Sequence, residues 1–347
     1  MTAALVLART GARGVVLAGG LGLTIVAVGY LVASPQELRT VVALAAVLAA
    51  AAVGLAWPRH MLVSLVVWLV LLGLVRRLLS LEVPSTGNDP LLLVEPAVLA
   101  LLLVPVTQRR PLLRRSGLAT SVLVLSVVLA ASALNPRQGG PFVGAAGLLF
   151  LLVPTAGFWI GRTFCDDRLF SRILTIVAFL ALPVAAYGLL QTFTGFPRWD
   201  ALWIHQTISS YQALNVGDAV RAFSTFPSFA EYAYFVAIGL CAWLAFGLRF
   251  ARLPFTVPAV ALLGTALVLA SVRLVVFLVS AAILAMLVAR ARIPAPIAAA
   301  AVLLALVGVS SAVSRVAPAS YTPGASGALL QHQVQGLSNP LGQQSST

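Results

Sequence analysis

Residues 173–192 read ILTIVAFLALPVAAYGLLQT, twenty residues without a charge, closed by the polar pair Gln191 and Thr192. As a helix rising about 1.5 Å per residue they cover about 30 Å, the thickness of a bilayer's hydrocarbon layer. A backbone in lipid must satisfy its own hydrogen bonds, so a run of this length and polarity reads as a helix. The same pattern recurs on both sides. Runs lie near Val15–Ala33, Val41–Trp57, Met61–Leu79, Leu91–Val106, Leu118–Leu134 and Phe142–Ile160 before it. Others lie near Phe229–Phe246, Thr256–Ala270, Leu274–Val288 and Pro296–Val313 after it. Arg9 and Arg13 precede the first run, as in a signal sequence, but more runs follow at once, so it reads as an uncleaved helix. The expected fold class is all-α: a polytopic transmembrane helix bundle of about eleven spans over residues 1–314. One long outer loop, 193–228, and an outer tail, 315–347, complete it.

Composition points the same way. The 347 residues are 61% hydrophobic and 9% charged, with a mean hydropathy of +1.03. A soluble domain carries about 25% charged residues. There is too little polar side chain here to cover a water-soluble globule.

The net charge of +13 comes from 22 basic residues, all arginine, against 9 acidic ones. These arginines do not cluster on one module, as a nucleic-acid-binding surface would need; they punctuate the ends of the apolar runs. No nucleic-acid partner is expected, and membrane lipid is. With the N-terminus in the cytoplasm, the inner side holds 14 arginines: Arg9, Arg13, Arg59, Arg109, Arg110, Arg114, Arg115, Arg162, Arg168, Arg172, Arg249, Arg252, Arg290 and Arg292. The outer side holds 8: Arg39, Arg76, Arg77, Arg137, Arg198, Arg221, Arg273 and Arg315. The positive-inside rule favours this orientation in a cytoplasmic membrane.

Cys165 and Cys241, and the scattered His60, His205 and His332, give no metal-ligand spacing. Gly19-Gly20-Leu21-Gly22 lacks the lysine of a phosphate-binding loop. Neither a metal nor a cofactor is expected.

Long loops carry function more often than short ones. The long outer loop ends in Arg221-Ala222-Phe223-Ser224-Thr225-Phe226-Pro227-Ser228. Arg221 reads either as an interface anchor, with Phe223 and Phe226 at headgroup depth, or as a guanidinium aimed at a phosphate. Arg273, between two apolar runs, either reaches water or binds phosphate from a rigid helix end. Glu231 could hold an arginine, accept a proton, or serve only as a helix N-terminal charge. His205 and His332 could titrate, but no neighbour marks either as a base.

From Tyr187 onward the order of features resembles the O-antigen ligase and O-antigen polymerase superfamily. Tyr187-Gly188-Leu189-Leu190-Gln191 resembles its Gly-x-x-Gln helix end. Arg221–Ser228 resembles its arginine-to-proline entry to the next helix, with the proline one residue early. Ser271-Val272-Arg273 resembles its Ser-Arg turn, with Val272 inserted, and Gly336–Gly342 resembles a stretch of its large outer loop. The resemblance implies transfer of a glycan from an undecaprenyl-diphosphate carrier to an acceptor at the outer face of the cytoplasmic membrane. It implies diphosphate binding by Arg221 and Arg273, with Gln191 and Glu231 in support; the catalytic residue stays unassigned. After Gly342 the family continues with a histidine-bearing segment and further helices, whereas this chain ends at Gln343–Thr347. A truncated chain that binds lipid diphosphate weakly and transfers little glycan is therefore expected. The competing classes are a transporter or flippase, which would show inverted repeats, and a non-catalytic scaffold of polysaccharide assembly.

The topology has a direct test. Single cysteines placed at Thr2 and Ser345, in a chain with Cys165 and Cys241 replaced, are expected to react with membrane-impermeant maleimide from opposite sides. Labelling of Ser345→Cys only from the cytoplasmic side contradicts the orientation.

Overall fold

The computed structural model describes residues 38–82, 89–108, 116–135, 140–207, 215–216, 219–250 and 253–314. Their helices, in chain order, begin with α1 (Leu38–Ala56), α2 (Pro58–Leu79), α3 (Val94–Gln108), α4 (Gly117–Ala133), α5 (Pro141–Phe164) and α6 (Asp167–Thr194). There follow α7 (Arg198–Thr207), α8 (Phe229–Phe250), α9 (Leu253–Leu269), α10 (Arg273–Ala291) and α11 (Ala295–Ser314). A short 3₁₀ turn, Pro90–Leu93, leads into α3. The only strands among the described residues are β1 (Asn215–Val216) and β2 (Ala219–Val220), an antiparallel pair.

Ten of the expected apolar runs fall on α1 to α6 and α8 to α11. The first, Val15–Ala33, and the tail from 315 lie outside the described residues. Three helices, Pro58–Leu79, Asp167–Thr194 and Phe229–Gly247, are long and apolar enough to cross a membrane. Shorter apolar helices accompany them. Several helices turn large apolar side chains outward: on α4, Leu118, Leu123, Val124, Val127 and Val128 are 56–65% exposed. Apolar faces of that extent call for an apolar solvent or a covering partner.

Hydroxyls inside the helices bond back to the helix's own backbone, which suits an apolar solvent. Hydroxyls of Ser121, Ser126, Thr163, Thr192, Thr194, Thr265 and Ser280 each donate to the carbonyl four residues earlier. Pro154, Pro183 and Pro258 sit inside α5, α6 and α9.

The described residues fall into two compact units, one within Met1–Leu69 and Glu82–Ser171, the other within Val70–Leu81 and Arg172–Thr347. In the first, α1 packs on α3, α3 on α5 and α4 on α5. Two ion pairs close its connections. Arg39 Nη1 lies 2.6 Å from Asp89 Oδ2, both side chains buried. Asp89 also accepts from the Leu91 N–H at 3.1 Å and so caps the 3₁₀ turn. Arg59 pairs with Asp166 at 3.1 Å on the surface. Asp166 starts α6 by accepting the Leu169 N–H at 2.8 Å, and that bond, with Arg59 nearby, holds its carboxyl below the ordinary value.

In the second unit α8 packs on α9 and α10, and α11 on α9 and α10. Its core joins Ala178, Ala181 and Ala185 of α6 to Val236, Ala237 and Leu240 of α8 and Leu263, Ala266 and Ala270 of the α9 side. Small residues let these helices approach closely: a Cβ on Gly239 would collide with the Ala181 side chain, and one on Gly188 with the Tyr232 ring.

Gly73 of α2 has the same role against irregular backbone. A Cβ there would lie 2.7 Å from the Phe226 carbonyl carbon and 2.8 Å from Pro227 N, and would also strike the Thr225 carbonyl oxygen. Gly73→Ala is expected to lower stability by about 1–3 kcal/mol, the usual cost of overpacking. Gly264→Ala, whose Cβ meets nothing within 4 Å, is expected to be neutral or stabilising. Thermal unfolding of the detergent-solubilised variants checks the pair.

Candidate functional site, a clamped turn beside Arg221

Four residues beyond Gly73, on the same face of α2, is Arg77. It lies in the last turn of the helix, where a cation suits the carbonyl end. Arg77 is 1% exposed. A guanidinium so placed must find partners, and two segments supply them, α7 and the turn Phe223–Phe226. Its Nε lies 2.8 Å from Asp200 Oδ1 as an ion pair rather than an aligned hydrogen bond. Nη1 donates to the Phe226 carbonyl at 2.7 Å, and Nη2 donates to the Ser224 carbonyl. The Phe223 ring lies 4.7 Å from the guanidinium carbon and the Trp203 ring 6.0 Å.

Asp200 comes from the first turn of α7 and is fully buried. Its Oδ2 accepts from Tyr187 Oη and from Gln191 Nε2, each at 2.6 Å. Trp199 Nε1 donates to the same Tyr187 oxygen at 2.8 Å. Burial pushes the Asp200 carboxyl up from its ordinary value, while Arg77, Tyr187 and Gln191 pull it back down.

Gln191 completes the enclosure. Its Oε1 accepts the N–H groups of Phe223 at 3.2 Å and Ser224 at 2.7 Å. The segment Phe223–Phe226 thus has amides held from α6 and carbonyls held from α2. Ser224 adopts a left-handed conformation (φ +51°), and its hydroxyl donates to the Val184 carbonyl at 2.6 Å. Phe223 stacks on Phe196 at 5.3 Å and leans on Trp203 at 5.2 Å, forming with Ile204 and Val220 a small separate core.

Most residues singled out in the sequence fall among the described ones. Arg221 opens the clamped segment; it is half-buried, and its guanidinium carbon lies 4.4 Å from the Phe229 ring centroid. Gln191 is wholly buried and braces the turn. Glu231 is exposed, and its N–H donates to Ser228 Oγ at 3.2 Å. Ser228-Phe229-Ala230-Glu231 is thus a helix-start pattern of the capping-box kind. Arg273 is the first residue of α10, and its side chain lies outside the described residues. His205 is exposed in the last turn of α7, and His332 lies outside the described residues. Among the described residues no three His, Cys, Asp or Glu side chains gather as a metal site would need.

Comparison with protein-family models, with curated proteins and with solved structures returned no match. Arg221 and Arg273 belong to one end of the second unit. Helix α8 leaves the clamped segment, α9 returns, and α10 leaves again at Arg273. Ala222, Phe226, Ala270 and Val275 share one hydrophobic cluster, with Val272 packed on it. Ser271, like Ser224, is buried and left-handed (φ +55°).

Arg77 and Asp200 escaped the reading of the sequence, which used Arg77 only as an end-of-helix charge. The available signal was a pair of arginines inside an apolar run with two leucines still to follow.

Removing one member of the buried pair strands the other. Arg77→Ala and Asp200→Ala are each expected to cost about 3–5 kcal/mol. The apolar pair Arg77→Met with Asp200→Leu is expected to recover most of that loss, because it strands no charge. Denaturation in detergent of the parent and the three variants checks this order of stabilities.

Proposed function

We propose that this chain is a membrane glycan ligase or polymerase of the O-antigen type. It would transfer a glycan from undecaprenyl diphosphate to an acceptor at the outer face of the cytoplasmic membrane, for cell-surface polysaccharide assembly. The observation that carries the reading is the pair of turns at one end of the second unit. Each bears an expected phosphate-binding arginine, Arg221 or Arg273, and each is built on a buried left-handed serine. Strain at non-glycine positions is kept where the surroundings impose it, and it concentrates at functional sites.

The chemistry fits such an arrangement. An acceptor hydroxyl oxygen attacks the anomeric carbon, forming the new C–O bond. The bond from that carbon to the diphosphate oxygen breaks, and the diphosphate leaves with the electron pair. The hydroxyl proton passes to a base or to solvent. Negative charge grows on the leaving diphosphate, and fixed guanidiniums in a poorly hydrated place stabilise it. Apolar helices around the turns suit a substrate whose tail lies in lipid.

Binding of undecaprenyl diphosphate to the protein in nanodiscs tests the reading. Hydrogen bonds to a charged group contribute about 1.5–3 kcal/mol, so Arg221→Ala and Arg273→Ala are each expected to weaken binding roughly tenfold or more. Binding unaffected by both variants overturns the assignment. Arginine-independent uptake of a polar solute by proteoliposomes would favour the transporter class instead.

A further inference from the structure

Arg77 is too deeply enclosed to meet a substrate, yet each nitrogen of its guanidinium fork faces a partner. What it holds is backbone. Its two terminal nitrogens take the Ser224 and Phe226 carbonyls, and Gly73, one turn earlier, lets that backbone lie directly on α2. Gln191 takes the Phe223 and Ser224 amides from the other side. Asp200 ties the two halves together, accepting from Gln191 and pairing with Arg77. Arg221 lies two residues before Phe223, half-buried, with its guanidinium over the Phe229 ring.

We propose that Arg77 is a positioning residue for Arg221: by gripping the Ser224 and Phe226 carbonyls, it fixes where the Arg221 guanidinium is presented to a lipid diphosphate. The proposal rests on the reading above that Arg221 binds that diphosphate. Preorganised donors stabilise charge better than donors that must first be ordered, and misplacement by about 1 Å can cost roughly 10²-fold in rate. Lysine cannot replace Arg77 in this role. Its compact ammonium lacks the planar fork that reaches two carbonyls while pairing with Asp200.

The test separates positioning from stability by using the apolar pair Arg77→Met with Asp200→Leu, which keeps the helices packed without the fork. Two readouts are taken on the full chain in nanodiscs. The first is amide hydrogen exchange of the peptide containing Phe223–Phe226, which needs no ligand. It is expected to speed up at least tenfold in the apolar pair while α8 and α9 exchange as in the parent. The second is affinity for undecaprenyl diphosphate, expected to fall about as far as in Arg221→Ala. Adding Arg221→Ala to the apolar pair is expected to cause little further loss.

Unchanged exchange in the turn overturns the proposal whatever the lipid does. Additive losses from the apolar pair and Arg221→Ala overturn it too, since independent residues add. If the apolar pair fails to fold, Arg77→Lys is put through the same two readouts under the same criteria. Absence of diphosphate binding by the parent protein rejects the functional reading alone; the exchange result then still decides whether Arg77 holds the turn.

Discussion

A single guanidinium ties together the helices and the turn at one end of the second unit. Arg77 is carried on an apolar helix to a depth where its charge could not persist alone, and Asp200 neutralises it there. Two charges taken out of water gain little net stability from each other. The fork of Arg77 has directions, and the two carbonyls it meets, of Ser224 and Phe226, belong to one turn of one segment. A fold built from apolar helices has many near-equivalent ways to pack, and a directional buried contact selects among them.

The turn so selected is not a relaxed one. Ser224 is left-handed without being glycine, and four hydrogen bonds hold it: its amide donates to Gln191, its hydroxyl donates to Val184, and its carbonyl accepts from Arg77 and Gln191. The surrounding rings of Phe196, Trp203 and Phe223 exclude water from those bonds. Local strain, enclosing hydrogen bonds and an adjoining arginine are the observations on which the proposed phosphate chemistry rests.

The helices were legible in the sequence because lipid-length apolar runs leave little choice. The run expected at Met61–Leu79 became Pro58–Leu79, and that at Ile173–Thr192 became Asp167–Thr194, each extended at a polar start. Helix α7 was not legible as a helix. Arg198–Thr207 mixes Arg198, Asp200, His205 and Gln206 with Trp199 and Trp203 at helical spacing, and it was read as loop because its polarity breaks the apolar pattern. Arg221 and Gln191 were visible as polar residues beside apolar runs. Arg77 and Asp200 were not visible as a pair, because 123 positions separate them and nothing in either neighbourhood names the other. Gln191 was marked for a supporting place, and its amide turns out to support a protein turn through both of its ends.

Two arginine-bearing turns at one end of the second unit are proposed to converge on one diphosphate. A cryo-EM structure of the protein in nanodiscs with undecaprenyl diphosphate bound tests this. The Arg221 and Arg273 guanidiniums are expected within about 2.7–2.9 Å of oxygens of the same diphosphate. Guanidiniums more than about 15 Å apart, beyond joint reach of one diphosphate, would contradict it.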